Sequence, residues 1–310
     1  MTPARRAGID VGGTKCLGVV LDESGAVVGE WRRPTPKGPA ALIETLATMA
    51  GVMAPFDTLG IGVPGLVTYS GTLRAAPNLL DVNDFAVGPM LSERLGIDVA
   101  VDNDATCATA AEWRYGAGAG SDNFVLVTLG TGIGGGVVAG GSIIRGAHGF
   151  TGEIGHMVVD PTGPACPCGR RGCWERYASG SGLARLAREA AESRRLTRVV
   201  QLAGGSPDDV RGEDVRTAAA EGDAQALAVI DDFARWVAIG LVNLTNVLDP
   251  DRFVLGGGLA ESSDLYIGPI RKWFGDLLYA PHLRPHPDLV FAQFKHRAGA
   301  VGAAILGGER

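Results

Sequence analysis

The chain has 310 residues, with 34 acidic and 28 basic side chains and a formal net charge of −6. Its 46% hydrophobic content and 47 glycines are typical of an α/β enzyme with many tight turns, and they argue against disorder or a coiled coil. The negative charge disfavours a nucleic-acid surface, and no apolar run approaches the ~20 residues needed to cross a bilayer. We therefore expect a cytoplasmic enzyme that binds neither nucleic acid nor membrane and is long enough for two domains.

The first half of the chain predicts a β-rich start followed by alternating strands and helices. Strands are expected at 7–11, 17–21, 26–31, 58–63 and 97–101, and helices at 39–53, 84–95 and 105–115. The helix at 84–95 is expected to be capped near Asn83 or Asp84. Asp102, Asn103 and Asp104 follow the strand that ends at Val101, so the pattern predicts a polar group at the carboxyl end of a strand.

The second half repeats the strand-glycine-strand pattern. A strand is predicted at 124–129, a glycine turn at 130–136 and a second strand from Val137, followed by helices at 181–195, 214–221 and 224–247. A strand at 252–255 runs into three more glycines, and the last helix is predicted at 298–306. The glycine-rich segment 116–120 predicts a hinge, with a smaller domain at 1–116 plus 297–310 and a larger domain at 117–296.

Glycine turns after strands are the first candidates for a binding site. Without a Cβ, their backbone N–H groups can approach a phosphate, and a following Thr or Lys adds a hydroxyl or a positive charge. An ordinary hairpin has the same composition, so one such turn is weak evidence. Three turns together predict that ATP binds in a cleft; their residues are Asp10, Gly12, Gly13, Thr14 and Lys15, then Gly130, Thr131 and Gly132, then Gly256, Gly257 and Gly258.

Two familiar nucleotide motifs do not fit these turns. In a P-loop the lysine precedes the hydroxyl residue and a helix follows, whereas Thr14 precedes Lys15 here and a strand is predicted next. Gly130, Gly132 and Gly135 satisfy G-x-G-x-x-G, but apolar strand sequence follows them. A dinucleotide site is therefore not expected.

A cysteine-rich segment follows the second glycine turn. Cys166, Cys168 and Cys173 lie within eight positions, and His156 upstream can complete a tetrahedral Cys3His zinc site. A disulfide or redox pair is the alternative, but the one-residue spacing of Cys166 and Cys168 suits neither. The pattern predicts a closed structural zinc site.

Seven motifs in chain order resemble the ROK family of sugar kinases, within the actin-like ATPase superfamily. The resemblance covers nearly the whole chain, and the run CWERYASG at 173–180 is most similar to bacterial ATP-dependent glucokinases. The motifs are DVGGTK at 10–15, GVPG at 62–65, DNDA at 102–105, LGTGIGGG at 129–136, GEIGH at 152–156, CPCGRRGCWE at 166–175 and VLGGGLA at 254–260.

The resemblance implies an actin-like ATPase (ribonuclease H-like) fold, in which two α/β domains flank an active-site cleft. It also implies transfer of phosphate from ATP to the 6-hydroxyl of glucose, with Mg²⁺ and a structural Zn²⁺. Homodimers or homotetramers are common among such relatives. ROK relatives usually carry a tryptophan soon after the PNL element, and this chain instead continues with Asp81 to Asp84.

By the same resemblance, the three glycine turns hold the nucleotide: the first two bind its phosphates, the third lies along the adenosine, and Asp10 helps to hold Mg²⁺. Asp104 is the implied general base. The residues implied to line the sugar pocket are Gly65, Asn78, Asn103, Asp104, Glu153, His156 and Glu175. From spacing alone, Asp104 is equally well explained as the N-cap of the helix at 105–115.

The same motifs are compatible with two other functions. A ROK kinase can act on fructose, mannose, N-acetylglucosamine or N-acetylmannosamine, and polyphosphate can accompany ATP as donor. The family also includes sugar-responsive repressors, which carry a DNA-binding domain before the first glycine turn. Because Asp10 lies so near the start of this chain, we expect a kinase.

Overall fold

The computed structural model describes residues 4–75, 83–193, 196–259 and 263–309. The chain forms the mixed α/β structure that its sequence predicts. The helices are α1 Pro39–Met53, α2 Val87–Leu95, α3 Asp104–Tyr115, α4 Glu175–Ala178, α5 Gly180–Glu192, α6 Thr197–Leu202, α7 Gly212–Ala220, α8 Ala224–Leu248, α9 Ser263–Leu277 and α10 Ala298–Gly307. The strands are β1 Arg6–Val11, β2 Lys15–Leu21, β3 Val27–Pro34, β4 Thr58–Val63, β5 Leu66–Val67, β6 Leu73–Ala75, β7 Asn83–Phe85, β8 Val99–Asn103, β9 Phe124–Leu129, β10 Ile133–Ala139, β11 Ser142–Ile144, β12 Arg252–Gly256 and β13 Asp288–Phe291.

The strands form three sheets. The first has the order β3-β2-β1-β4-β8, the second β11-β10-β9-β12-β13, and a small third sheet has the order β5-β6-β7. In the first sheet, β1 pairs antiparallel with β2, whereas β4 runs parallel to both β1 and β8. The register places Asp10 opposite Gly62 and Gly62 opposite Asp102, so both acidic residues lie at one edge of the sheet.

Contacts divide the chain into two units. The first comprises Met1–Leu126, Gly135–Gly152 and Ala292–Arg310, and the second comprises Val127–Gly134 and Glu153–Phe291. No helix in the described part of the chain is both long and apolar enough to span a membrane.

The first unit covers both faces of its five-stranded sheet with helices. On one face, α1 buries Leu42, Leu46 and Met49 at helical spacing. On the other face α10 lies unusually close, since a Cβ at Gly8 would fall 2.1 Å from the carbonyl oxygen of Ala300. Glycine in β1 therefore lets a helix of small residues pack directly on the strand.

The second unit is built around the 25-residue helix α8. Trp174, which is fully buried, packs against Gly240 of this helix, where a Cβ would lie 1.9 Å from the indole. Its Nε1 donates a hydrogen bond of 2.8 Å to the carbonyl oxygen of Trp236. Because Trp174 lies between Cys173 and Glu175 in the sequence, its packing on α8 also holds the backbone of these two residues near that helix.

Several predicted element boundaries differ from the structure, and three of the differences lie in or near the predicted motifs. Asp84 does not begin or cap a helix: it lies in β7 with a left-handed φ of 57°, and α2 begins at Val87. The strand predicted at 97–101 is β8, which contains Asp102 and Asn103 rather than ending before them. The strand predicted from Val137 begins at Ile133, and its glycines serve close packing, since a Cβ at Gly136 would lie 2.0 Å from the Thr109 hydroxyl.

Candidate active site and metal cluster

The first glycine turn joins β1 to β2 in the first unit. It is closed by a hydrogen bond of 3.0 Å from the Gly12 N–H to the carbonyl oxygen of Lys15. Gly13, Thr14 and Lys15 are exposed, so their polar groups face solvent. A strand follows this turn, which confirms that it is not a P-loop.

Thr35 holds this turn and was not expected from the sequence. Its hydroxyl donates to the carbonyl oxygen of Gly12 at 2.6 Å, and its N–H donates to the carbonyl oxygen of Thr14 at 3.1 Å. Thr35 follows β3, and the pairing of Lys15 with Pro34 brings it beside the turn. Only a prediction of strand pairing would have identified it.

Asp10 and Asp104 interact electrostatically at the edge of the first sheet. Burial raises the pKa of Asp10 to about 7, the charge of Asp104 adds to this, and Lys15 partly offsets it. Gly299 leaves room for the Asp10 carboxyl, since a Cβ at that position would lie 2.6 Å from its Cγ. A Cβ at Gly62 would lie 3.5 Å from Asp10 Oδ1 and 3.6 Å from the Asp104 Cα, so Gly62 lies between the two acidic residues.

Asn103, not Asp104, is the N-cap of α3. Its side-chain Oδ1 accepts hydrogen bonds from the N–H groups of Ala105 at 2.8 Å and Thr106 at 3.1 Å. Its Nδ2 donates to the carbonyl oxygen of Gly65 at 3.0 Å, which ties the cap to the GVPG motif. The capping explanation left open for Asp104 therefore applies to its neighbour, although Asp104 Oδ1 also accepts from the Ala105 N–H at 2.8 Å.

This capping limits what Asn103 can offer a ligand. Oδ1 already accepts two hydrogen bonds, whereas Nδ2 has two hydrogens and donates to the carbonyl oxygen of Gly65. Asn103 is therefore better suited to donate to a ligand oxygen than to accept from a hydroxyl. Asn78, the other amide expected at the site, lies outside the described residues.

The second unit brings the four expected metal ligands together. The donor atoms of His156, Cys166, Cys168 and Cys173 all lie within 4.8 Å of one another. A tetrahedral zinc site with Zn–S bonds of ~2.3 Å has ligand–ligand edges of about 3.8 Å. The observed separations of 3.6 Å from Cys168 Sγ to Cys173 Sγ and 3.9 Å from Cys166 Sγ to His156 Nδ1 match that size.

Two carboxylates flank this cluster. His156 Nδ1 faces Cys166, while its Nε2 lies 3.9 Å from Glu153 Oε2. Glu175 Oε1 lies 3.1 Å from Cys166 Sγ and 3.7 Å from His156 Nδ1. Burial raises the pKa of Glu153; the charge on His156 opposes this rise, and that on Glu175 adds to it.

Glu175 also lies beside the second glycine turn. Its Oε2 would be 2.7 Å from a Cβ at Gly132, so a side chain at that position would displace the carboxylate. The turn is closed by a hydrogen bond of 3.0 Å from the Gly130 N–H to the Gly132 carbonyl oxygen. Thr131, between them, is exposed, and strand β10 follows, which confirms that this is not a dinucleotide fingerprint.

The third glycine turn packs against the start of the second. Gly257 has a φ of 83°, and a Cβ there would lie 2.6 Å from the backbone of Leu129, the residue before Gly130. Gly256 ends β12, and Gly258 is exposed. The GGG sequence thus allows two backbone segments of the second unit to touch.

The two cysteines outside the cluster are buried. Cys16 and Cys107 have no exposed surface. Burial raises the pKa of both thiols, most strongly that of Cys107. They are small hydrophobic residues of the first unit.

Comparison with known proteins assigns this arrangement to a family. The ROK family profile matches residues 6–309. A glucokinase from Streptomyces coelicolor is 38% identical over 97% of both chains, and an Escherichia coli N-acetylmannosamine kinase is 33% identical over 96% of both. A Streptomyces griseus ROK glucokinase crystallised with glucose and AMPPNP superposes with a TM-score of 0.88 at 35% identity, covering 99% of this chain and 100% of that one. These similarities confirm the predicted actin-like ATPase fold.

Proposed function

The chain belongs to the ROK family, and we propose that it is an ATP-dependent glucokinase that phosphorylates the 6-hydroxyl of glucose. The glucokinase relatives match it over nearly their whole length. One observation in this chain supports the proposal most: Asn103, not Asp104, is the N-cap of α3, so the capping role that competed with catalysis belongs to the neighbouring residue.

Asp104 is proposed as the general base. A sugar hydroxyl is a weak nucleophile at neutral pH, so a carboxylate that takes its proton assists attack on the γ-phosphorus. Asp104 is the first residue of α3. An ionised carboxylate is the form that can accept the proton.

The nucleotide is proposed to contact the glycine turns. The exposed Thr14 and Lys15 offer a hydroxyl and a positive charge to the phosphates, and the turns at Gly130–Gly132 and Gly256–Gly258 offer backbone groups near the triphosphate and adenosine. Asp10 supplies a carboxylate for Mg²⁺, whose charge would lower the pKa of this buried group. Bound Mg²⁺ supplies charge neutralisation at the phosphates.

The sugar is proposed to contact Gly65, Asn78, Asn103, Glu153, His156 and Glu175. The cluster of three cysteines and His156 is proposed to hold Zn²⁺. Four protein ligands would fill a tetrahedral coordination sphere, so the ion would be structural and would hold His156 and the neighbouring Glu175 in position.

A kinase for N-acetylmannosamine is the second candidate, because relatives with that name are 33% identical over 96% of this chain. The two substrates differ at the 2-position of the sugar. A coupled assay with ATP and a panel of hexoses tests both. We expect the highest kcat/KM for glucose. A higher kcat/KM for N-acetylmannosamine, or no phosphorylation of any hexose, would reject the proposal.

We also propose that the chain forms a homodimer or homotetramer. Val247, Tyr279 and Leu283 of the second unit are 80%, 76% and 88% exposed, which is unusual for large apolar side chains. Arg284, next to Leu283, donates a hydrogen bond to Asn246, the residue before Val247, so the segments that carry Leu283 and Val247 are neighbours. Light scattering that gives the mass of one chain would contradict the assembly.

A further inference from the structure

A buried carboxylate directly precedes the proposed base and is not part of the proposed machinery. Asp102 is 9% exposed and lies in β8. Its Oδ1 accepts a hydrogen bond of 2.9 Å from the Asn103 N–H, and its Oδ2 accepts one of 2.8 Å from Arg145 Nε. Asp102 thus connects Arg145 to the backbone of the residue that caps α3.

The backbone that carries Arg145 is itself fixed. Arg145 follows β11, and its carbonyl oxygen accepts from the Thr151 N–H at 3.2 Å. The hydroxyl of Tyr69 donates to the carbonyl oxygen of Gly146 at 2.6 Å. Gly149 has a φ of 92°, and a Cβ there would lie 2.5 Å from the carbonyl oxygen of Val67. The guanidinium therefore extends to Asp102 from an anchored loop.

We propose that Arg145 is a positioning residue for phosphoryl transfer, acting through Asp102 on Asn103 and Asp104. This inference rests on the proposed kinase function. The bond from Arg145 orients the Asp102 carboxylate, which orients the Asn103 N–H, and Asn103 then caps the helix whose first residue is Asp104. Each link is a hydrogen bond of 2.8 to 2.9 Å.

Charge supports the same role. Asp10, Asp102 and Asp104 lie close together in the first unit, and all three act electrostatically on Cys107. Arg145 opposes them at that thiol, and Lys15 opposes them at Asp10. Removing Arg145 leaves the charge of Asp102 uncompensated beside Asn103. Because an unpaired buried charge is unfavourable, we expect the carboxylate to rotate toward water and to lose its hydrogen bond with the Asn103 N–H.

A cavity beside the ion pair makes a chemical test possible. It has a volume of about 210 Å³ and is lined by both members of the pair, with Tyr69, Cys107, Leu306 and Glu309 among its other walls. A water occupies about 30 Å³ of the liquid, so free guanidinium, which is only a few times larger, has room to enter. In Arg145→Ala, guanidinium can take the place of the missing side chain.

The test measures kcat and the glucose KM of Arg145→Ala, with and without millimolar guanidinium chloride. We expect kcat to fall by ~10²-fold with little change in KM, because the interaction acts on the geometry of transfer. Guanidinium should then restore kcat in a saturable way. Arg145→Lys, which keeps the charge, should retain more activity than Arg145→Ala.

Arg94→Ala is the matched control, because Arg94 forms an exposed ion pair with Glu44 at 3.1 Å in the same unit and neither residue lines the cavity. It should keep the wild-type kcat and show no response to guanidinium. The proposal is overturned if Arg145→Ala has the wild-type kcat, or if it loses activity together with melting temperature and guanidinium restores neither.

A crystal structure of Arg145→Ala separates this inference from the kinase proposal. If the wild-type protein phosphorylates no hexose, the kinase proposal fails by itself, and the structure still decides whether Arg145 acts on Asp102. We expect the Asp102 carboxylate to leave the Asn103 N–H in the variant. An unchanged bond from Asn103 to Asp102 would overturn the inference.

Discussion

Asn103 and Asp104, at the start of α3, have different roles because their backbones and hydrogen bonds differ. Asn and Asp are both good N-caps, so the sequence alone cannot assign the cap to either. In the structure, Asn103 has extended backbone and accepts from the second and third residues beyond it, as an N-cap does. Asp104 already belongs to the helix.

The Asp104→Asn variant tests the role of that carboxylate. We expect kcat to fall by ~10²-fold or more while the glucose KM stays within tenfold, since an amide cannot accept the proton but fills the same space. Steady-state kinetics measure this. Asp98→Asn, which changes an exposed acidic residue just before β8, is the control and should keep the wild-type kcat. A near-normal kcat in Asp104→Asn would show that Asp104 is not the general base.

In the absence of Mg²⁺, we expect the raised pKa of Asp10 to make the free energy of unfolding depend on pH. Its pKa is about 7 in the folded protein against an ordinary value of 3.8. Between these values the folded state holds a proton that the unfolded chain has released, so the contribution of Asp10 to the free energy of unfolding falls as pH rises.

Calorimetry of Asp10→Asn in EDTA tests this. The variant should melt above the wild type at pH 7.5, and the difference should shrink at pH 4.5, where Asp10 is neutral in the folded protein. The variant should also lose activity. A difference in melting temperature that does not change with pH would contradict the raised pKa.

At the scale of elements, the first turn of α10 shapes the surroundings of Asp10. Gly299→Ala should displace the Asp10 carboxyl, because the new Cβ would lie 2.6 Å from its Cγ. We expect ~10²-fold lower kcat, as a shift of about 1 Å at a reacting group can cost that much. Gly275→Ala in α9 is the control, since its Cβ would meet nothing within 4 Å; equal kcat in both variants would contradict the account.

The segment from His156 to Glu175 should depend on the proposed Zn²⁺ for its structure. Cys168→Ala should lower the zinc content from about one ion per chain to near zero and raise the glucose KM, because Glu175 and His156 lose their common support. Elemental analysis measures the zinc. Cys16→Ala, at a buried cysteine of the first unit, should keep it, and wild-type protein without zinc would contradict the proposal.

At the scale of the whole molecule, the sequence predicted the elements with strong periodicity. The helix at 39–53 and the strands at 58–63 and 124–129 have the predicted bounds, because each is an apolar run between clear turn residues. The clustering of His156 with the three cysteines was also predictable, since three cysteines within eight positions indicate a common partner. Short strands such as β6 and β11 were missed, because three residues carry no periodicity.

The supporting residues of the site could not be predicted from the sequence. Thr35 acts on a turn 20 or more positions earlier, and Arg145 pairs with a carboxylate 43 positions away. Neither residue belongs to a motif, and each is placed by strand pairing or by an anchored loop. Contacts between residues more than 20 positions apart depend on the fold, whereas the motifs can be recognised from neighbouring residues in the sequence.

The most direct test of the central claim is a crystal structure of this chain with glucose and a non-hydrolysable ATP analogue. The distance from the 6-hydroxyl oxygen of glucose to the nearer carboxylate oxygen of Asp104 decides the outcome. The account predicts a hydrogen bond of about 2.6 to 3.2 Å, with the γ-phosphorus on the other side of that hydroxyl. Glucose bound with its 6-hydroxyl beyond reach of Asp104 would contradict it.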